Sequence, residues 1–186
     1  MGSLSNFGEN AFMNHVFGTA YTYSTVYLAL CTADPGETAT GASMSEVADS
    51  GAYARKAITF GAASSRKVVQ SADVNFDQAS GSWGTVTHWA LTDESAHGAG
   101  NVLAYGALAN SKAVASGNTP TVSAGEVEVE IQAGAWTDYL VHKMLDLVFR
   151  NQSFTQPATY VTVTTATIAD GDTSITQASG ISRVLV

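Results

Sequence analysis

Four histidines, sixteen carboxylates and one cysteine are what this 186-residue sequence brings to catalysis or metal binding. His88 and Asp93 stand close together, and with one of the many serines they could make a triad in which histidine takes the serine proton and a carboxylate orients the ring. The sequence has no Gly-x-Ser-x-Gly elbow and no His-Gly-Gly-Gly oxyanion motif. His88 also lies inside Trp83-Gly84-Thr85-Val86-Thr87-His88-Trp89-Ala90, where a half-exposed strand histidine accounts for it. No catalytic residue is assigned, and the chain is expected not to be an enzyme.

Metal chemistry is equally thin. Asp170-Gly171-Asp172, or Asp34 with Glu37, could contribute oxygens to calcium, but neither has the roughly six regularly spaced ligands of a calcium loop. Asp170-Gly171 reads better as a turn, since glycine takes the positive φ that tight turns need. His15, His88, His97 and His142 have no cysteine or second histidine at zinc-ligand spacing. No glycine-rich phosphate loop precedes a helix. Neither a metal nor a cofactor is expected.

Cys31 has no partner for an internal disulfide and falls in an apolar run, the setting of a buried core thiol. The aromatic residues Trp83, Trp89, Tyr105 and Trp136 could stack on sugar rings if a β scaffold exposed them; otherwise they are core. Of these, Trp83, Trp89 and Trp136 are the candidate stacking residues of a receptor-binding adhesin for host surface glycans, the alternative reading of function.

The elements that would carry these residues are mostly strands. Hydrophobic residues make up 45% of the chain and charged ones 13%, with a net charge of −8. That composition, dominated by small residues, fits a β-rich scaffold better than a helical bundle. Without a lysine or arginine cluster, nucleic acid is not an expected partner. No apolar run approaches the ~20 residues of a membrane span, and the N-terminus lacks a signal-peptide pattern. Synthesis in the cytoplasm without membrane insertion is therefore expected.

Phe7, Ala11, Phe12, Val16 and Phe17 predict a short helix over Asn6 to Phe17, with Ser5 or Asn6 as N-cap, ending at Gly18. Strands are predicted over Ser24 to Ala33, Tyr53 to Phe60, Val68 to Phe76, Gly84 to Thr92, Asn101 to Leu108 and Val127 to Ile131. Asp34-Pro35-Gly36 closes the first strand as a turn, and Glu37 to Ser50 reads as a loop. In Glu126-Val127-Glu128-Val129-Glu130-Ile131, alternation puts the apolar residues on one face and the carboxylates on the other. These strands point to an antiparallel sandwich or a jelly-roll-like domain.

The two ends of the chain resemble each other. Phe12 to Phe17 (FMNHVF) parallels Met144 to Phe149 (MLDLVF), Tyr27 to Ala33 parallels Tyr160 to Ala166, and Ser50 to Arg55 parallels the one-residue-shorter Ser179 to Arg183. Tandem copies are the expected cause. The chain then divides into a β domain, residues 1–134, and a partial repeat of that domain's helix-strand-loop-strand start, residues 135–186. The repeat's helix carries Leu140, Met144, Leu147 and Val148 on an apolar face that must be buried, on the first domain, against a neighbouring subunit by strand addition or swapping, or within a longer natural chain of which this is a fragment. These four are the candidate intersubunit contacts.

Val26 to Gly36 (VYLALCTADPG), Ser50 to Arg55 (SGAYAR), Ser82 to Trp89 (SWGTVTHW) and Asn101 to Gly106 (NVLAYG) together resemble a family of tailed-bacteriophage minor structural proteins, labelled tail fibre or head fibre proteins. The resemblance covers roughly Asn6 to Ile131. It implies a virion component acting by attachment to other capsid or tail proteins and by self-association into a homo-oligomer, as a capsid decoration, head fibre or tail fibre module.

Overall fold

The computed structural model describes residues 2–17, 22–132 and 136–152, except the side chains of 16 and 17, and the backbone of 160–161 and 184–185. Within that span the chain is mostly β. A seven-stranded sheet is built from β1 (Gly2–Leu4), β2 (Tyr27–Cys31), β3 (Lys56–Ala57), β4 (Lys67–Val69), β6 (Gly84–Thr92), β7 (Val102–Val114) and β9 (Glu128–Glu130). Its order is β3-β2-β6-β7-β1-β9-β4. All pairings are antiparallel except β1 with β9, so the sheet is mixed. A two-stranded ribbon of β5 (Val74–Asn75) and β8 (Thr121–Val122) stands apart from it. The sheet curls, and a bridge between Phe60 and Gln70 draws the chain beyond β3 toward β4 at the opposite edge.

Helix α1 (Asn6–Phe17) forms where the spacing of its apolar residues predicts. Ser5 caps it, its hydroxyl accepting from Gly8 N at 3.1 Å and donating to the carbonyl of Val102. Gly8 is required there, because a Cβ would run into the Leu103 carbonyl. The helix thus lies directly on β7.

Strand β2 is buried along almost its whole length. Leu28 and Leu30 point into the main core with Trp89, Leu91, Leu103, Val127 and Val129. Ala29 and Cys31 point the other way, into a smaller cluster with Ala90, Val102 and Met44. Alternate residues face opposite sides of a sheet, and this strand is covered on both, which is why it reads as a continuous apolar run. Each large side chain so buried contributes about 1.5–3 kcal/mol.

Several predicted strands change length. Val68 to Phe76 breaks into β4 and β5 at Gln70, whose buried side chain donates to Ala72 O at 2.7 Å and Val122 O at 3.0 Å and accepts from Val127 N at 3.2 Å. A side chain that satisfies three backbone groups replaces ladder bonds at a corner. Conversely β7 runs on to Val114 through Asn110, Ser111 and Lys112, because the start of β6 pairs with it, Gly84 opposite Val114. Val129 in β9 and Val127 just before it are buried, and Glu128 on the other face meets Lys67 at 2.7 Å, as the alternation predicts. Gly2–Leu4 and Thr121–Val122 are strands too short to show a period.

Helix α2 (Asp138–Arg150) follows, capped by Thr137. Its residues Val141, Met144, Leu145, Val148 and Phe149 belong to the same core cluster as Leu28, Trp89 and Leu103 of the sheet. Beyond it, β10 (Tyr160–Val161) pairs antiparallel with β11 (Val184–Leu185).

Candidate functional site

The densest polar assembly among the described residues lies where the loop after β2 meets the loop after β6. Arg55 and Glu46 form a forked ion pair, Nε to Oε1 and Nη2 to Oε2 both at 2.8 Å. Their side chains are 0% and 2% exposed. The remaining guanidinium hydrogens of Nη1 go to Glu94 O and Ala99 O at 2.9 Å and to Thr92 Oγ1 at 3.3 Å. Tyr53 OH donates to Glu46 Oε1 at 2.9 Å and accepts from Leu30 N at 3.0 Å. His97 Nε2 lies 3.0 Å from Val47 O and 3.6 Å from Glu46 Oε2.

Backbone geometry allows this approach. Gly51 and Ala52 both take positive φ, 62° and 64°, turning the chain so that Tyr53 and Arg55 face inward. Gly41 N donates to Gly100 O at 2.9 Å, and a Cβ on Gly41 would collide with the Ala99 carbonyl. Planar, five-donor arginine suits a site where one group must satisfy several carbonyls and a carboxylate together. The assembly fixes two long loops as one surface.

Burial, and next the negative charge of Glu46, push the Cys31 thiol up to about 12. The same two causes raise the Tyr53 phenol. Both groups are neutral in the native protein, whereas the unfolded chain ionises its thiol near 9.0. A raised acid pKa stabilises fully below the unfolded value and loses that contribution as pH climbs toward the folded one. Stability is therefore expected to fall above about pH 9 through the thiol and, in addition, above about pH 10 through the phenol, by up to ~1.4 kcal/mol per pH unit for each group. Guanidinium titrations at pH 8, 9.5 and 10.5 check this, Cys31→Val reducing the slope; a flat profile would show that the thiol ionises freely in the fold.

The residues considered for catalysis are not brought together. His88 is half-buried, its Nδ1 2.8 Å from Thr87 Oγ1. Asp93 lies five residues further on, about 16 Å along an extended strand, and its two oxygens accept Asn101 N at 2.6 Å and Asn101 Nδ2 at 2.7 Å. Asp34 Oδ1 accepts Gly36 N at 3.0 Å, a turn contact. Among the described residues no three His, Cys, Asp or Glu are grouped to hold a metal ion. Asp170-Gly171-Asp172 lies outside the described residues.

The stacking expectation is corrected for two tryptophans. Trp89 is 1% exposed and Trp83 4%. The Trp89 ring fills a slot made by Gly2 and Gly106, which face each other across β1 and β7. Trp83 donates from Nε1 to Gly51 O at 2.8 Å and stands edge-on to Tyr53 and Phe76. Trp136 is half-buried, packed on the main core.

Helix α2 is seated on the turn Ser64–Lys67. Arg66, at φ 63°, donates to Ile131 O at 3.1 Å, Gln132 O at 3.0 Å, Trp136 O at 3.1 Å and Asp138 Oδ1 at 2.7 Å. Its backbone N–H meets His142 Nε2 at 3.0 Å, and Ala63 N meets Asp146 Oδ1 at 2.9 Å. Tyr23 OH donates to Leu147 O at 2.7 Å, and Phe60 meets Phe149 at 5.4 Å between ring centroids. Of the four expected intersubunit residues, Met144, Leu147 and Val148 are buried and Leu140 is partly so. Met144 and Val148 belong to the main core cluster, and Leu140 packs against it.

Glu46, Arg55 and Arg66 were not singled out by the sequence. The one signal available was Arg55 itself, matched by Arg183 in the repeat, in a chain with only eight basic residues.

Fold and site together define a β scaffold whose buried polar groups fix its loops and seat a helix. A family model described as Podophage GP4 fiber I protein gp80 matches residues 3–130, and the chain belongs to this family of phage fibre proteins. Membership makes it a structural component of a virion. A comparison with curated proteins returned no match. No helix among the described residues is long and apolar enough to cross a membrane.

Proposed function

We propose that this protein is a non-enzymatic fibre or capsid-decoration module that self-associates and attaches to other virion proteins. The observation that carries this reading is the buried Glu46–Arg55 assembly. It holds the loops of residues 37–50 and 93–101 in one fixed surface, as a load-bearing contact requires and a flexible catalytic lid does not. The loops of a rigid scaffold are where partners are met, and holding them in one conformation lowers the entropy lost on association. Nothing in the packing of Trp83 or Trp89 favours the adhesin reading.

Light scattering on the full chain across a concentration series, with cosedimentation on particles depleted of the protein, tests the proposal. The expected result is a defined oligomer or saturable binding to particles. A strict monomer that leaves the particles bare would remove the proposal. Asp substitutions on the exposed rim of the two loops should weaken binding while leaving the melting curve unchanged.

A further inference from the structure

The far half of β7 is built unlike the rest of the sheet. Between Val86, opposite Lys112, and His88, opposite Ala107, β6 has one residue and β7 has four. A bulge of that size leaves main-chain groups of residues 108–111 without ladder partners in β6. On the other side of β7, β1 pairs no further than Gly106. Residues 109–113 are all exposed. Among the described residues this stretch is therefore an open strand segment, the kind of edge that pairs with another chain.

Its side chains are also out of pattern. Residues directly opposite in a ladder share a face, and Val86, opposite Lys112, is buried in the main core. Lys112 thus occupies a core-face position, where a charged residue is out of place unless something meets it. The core does not close over it. A cavity of about 250 Å³, reaching Leu30 and Val86, opens beside Lys112, with Glu126 also on its lining. Every other described lysine and arginine meets a carboxylate, except Lys143, which lies over the Tyr139 ring. Lys112 has neither kind of partner among the described residues, and Glu126 has no cation there.

We propose that the bulged half of β7 and this cavity are the surface through which two copies of the chain pair about a two-fold axis. The strands lie edge to edge over residues 108–113, and Lys112 of each copy meets Glu126 of the other. Strand pairing supplies main-chain hydrogen bonds to the bulged segment and covers the apolar floor of the cavity. The occupant is a second copy because the patch is complementary to itself: one cavity carries one unanswered cation and one unanswered carboxylate, and a two-fold axis joins them twice. A partner of single charge sign would answer only one of them. Two chains of net charge −8 repel each other, so an uncommitted lysine at a strand edge is where they approach most favourably. This inference rests on the self-association reading above and assigns it a surface.

The test is sedimentation of the full chain over a concentration series, for the parent, Lys112→Glu, Glu126→Lys and the double exchange. Both side chains are exposed, so the four melting curves should coincide. Each single exchange sets like charges against each other and is expected to weaken dimerisation by ~10-fold or more, while the double exchange recovers most of the loss. Lys143→Glu, the same change of charge placed on α2, should leave the dissociation constant within about twofold of the parent's. Amide exchange at residues 108–111 should slow as the dimer forms. Association indifferent to both single exchanges would overturn this surface and leave self-association standing. A double exchange no better than either single one would overturn the two-fold pairing. A parent that stays monomeric at every concentration would overturn the proposal as well, while its cosedimentation with particles would still report on attachment.

Discussion

Replacing Arg55 with alanine is expected to destabilise the protein by about 3–5 kcal/mol, the range for removing one partner of a buried ion pair. The cost is large because Glu46, 2% exposed, is left charged without its counterion, and the carbonyls of Glu94 and Ala99 lose their donor. Arg55→Lys should recover little, since one ammonium cannot span a carboxylate and carbonyls from two loops. The double variant Glu46→Leu with Arg55→Met should be more stable than Arg55→Ala, because it strands no charge. Urea titrations of the three variants check the order, and amide exchange over residues 93–101 reports whether the loops separate. A loss under about 1 kcal/mol for Arg55→Ala, the range of exposed pairs, would mean that the pair is hydrated.

Trp89→Ala should cost a similar amount, about 3–5 kcal/mol, as expected when a fully buried aromatic ring is removed. The ring lies between β1 and β7 in a slot that exists only because Gly2 and Gly106 have no side chains. A Cβ on Gly106 would stand 2.7 Å from Trp89 Cζ2 and 2.9 Å from Gly2 Cα. Gly106→Ala is therefore expected to cost about 1–3 kcal/mol through overpacking. Combining Gly106→Ala with Trp89→Leu should cost less than the two changes summed, because the smaller side chain vacates the space the new methyl needs. Additive losses in a double-mutant cycle would show that Gly106 serves the backbone and not the ring.

Both effects arise at positions whose importance is invisible in a linear reading. Trp89 was legible as a strand aromatic, and its strand, Gly84–Thr92, forms with the predicted bounds. Whether the ring faced solvent or core depended on two glycines, one near the start of the chain and one in β7. Arg55 was legible as a basic residue after a turn. Its partners come from residues 46, 92, 94 and 99, a coincidence in space that no spacing rule encodes.

The sequence by itself determined what depends on neighbouring residues. Helix α1, the Asp34-Pro35-Gly36 turn, the alternation of β9 and the mostly β class all follow from local periodicity and turn chemistry. The family was also within its reach, because the segments that resemble phage fibre proteins are turns and strands. The correspondence of the chain ends could be read as residue identities. Tertiary structure decided the rest: the parallel pairing of β1 with β9, the break at Gln70, the burial of Trp83 and Trp89, and the seating of α2 on Arg66. Each of these is a contest for buried space and hydrogen-bond partners between segments far apart in the chain. Such contests are settled only when the segments meet.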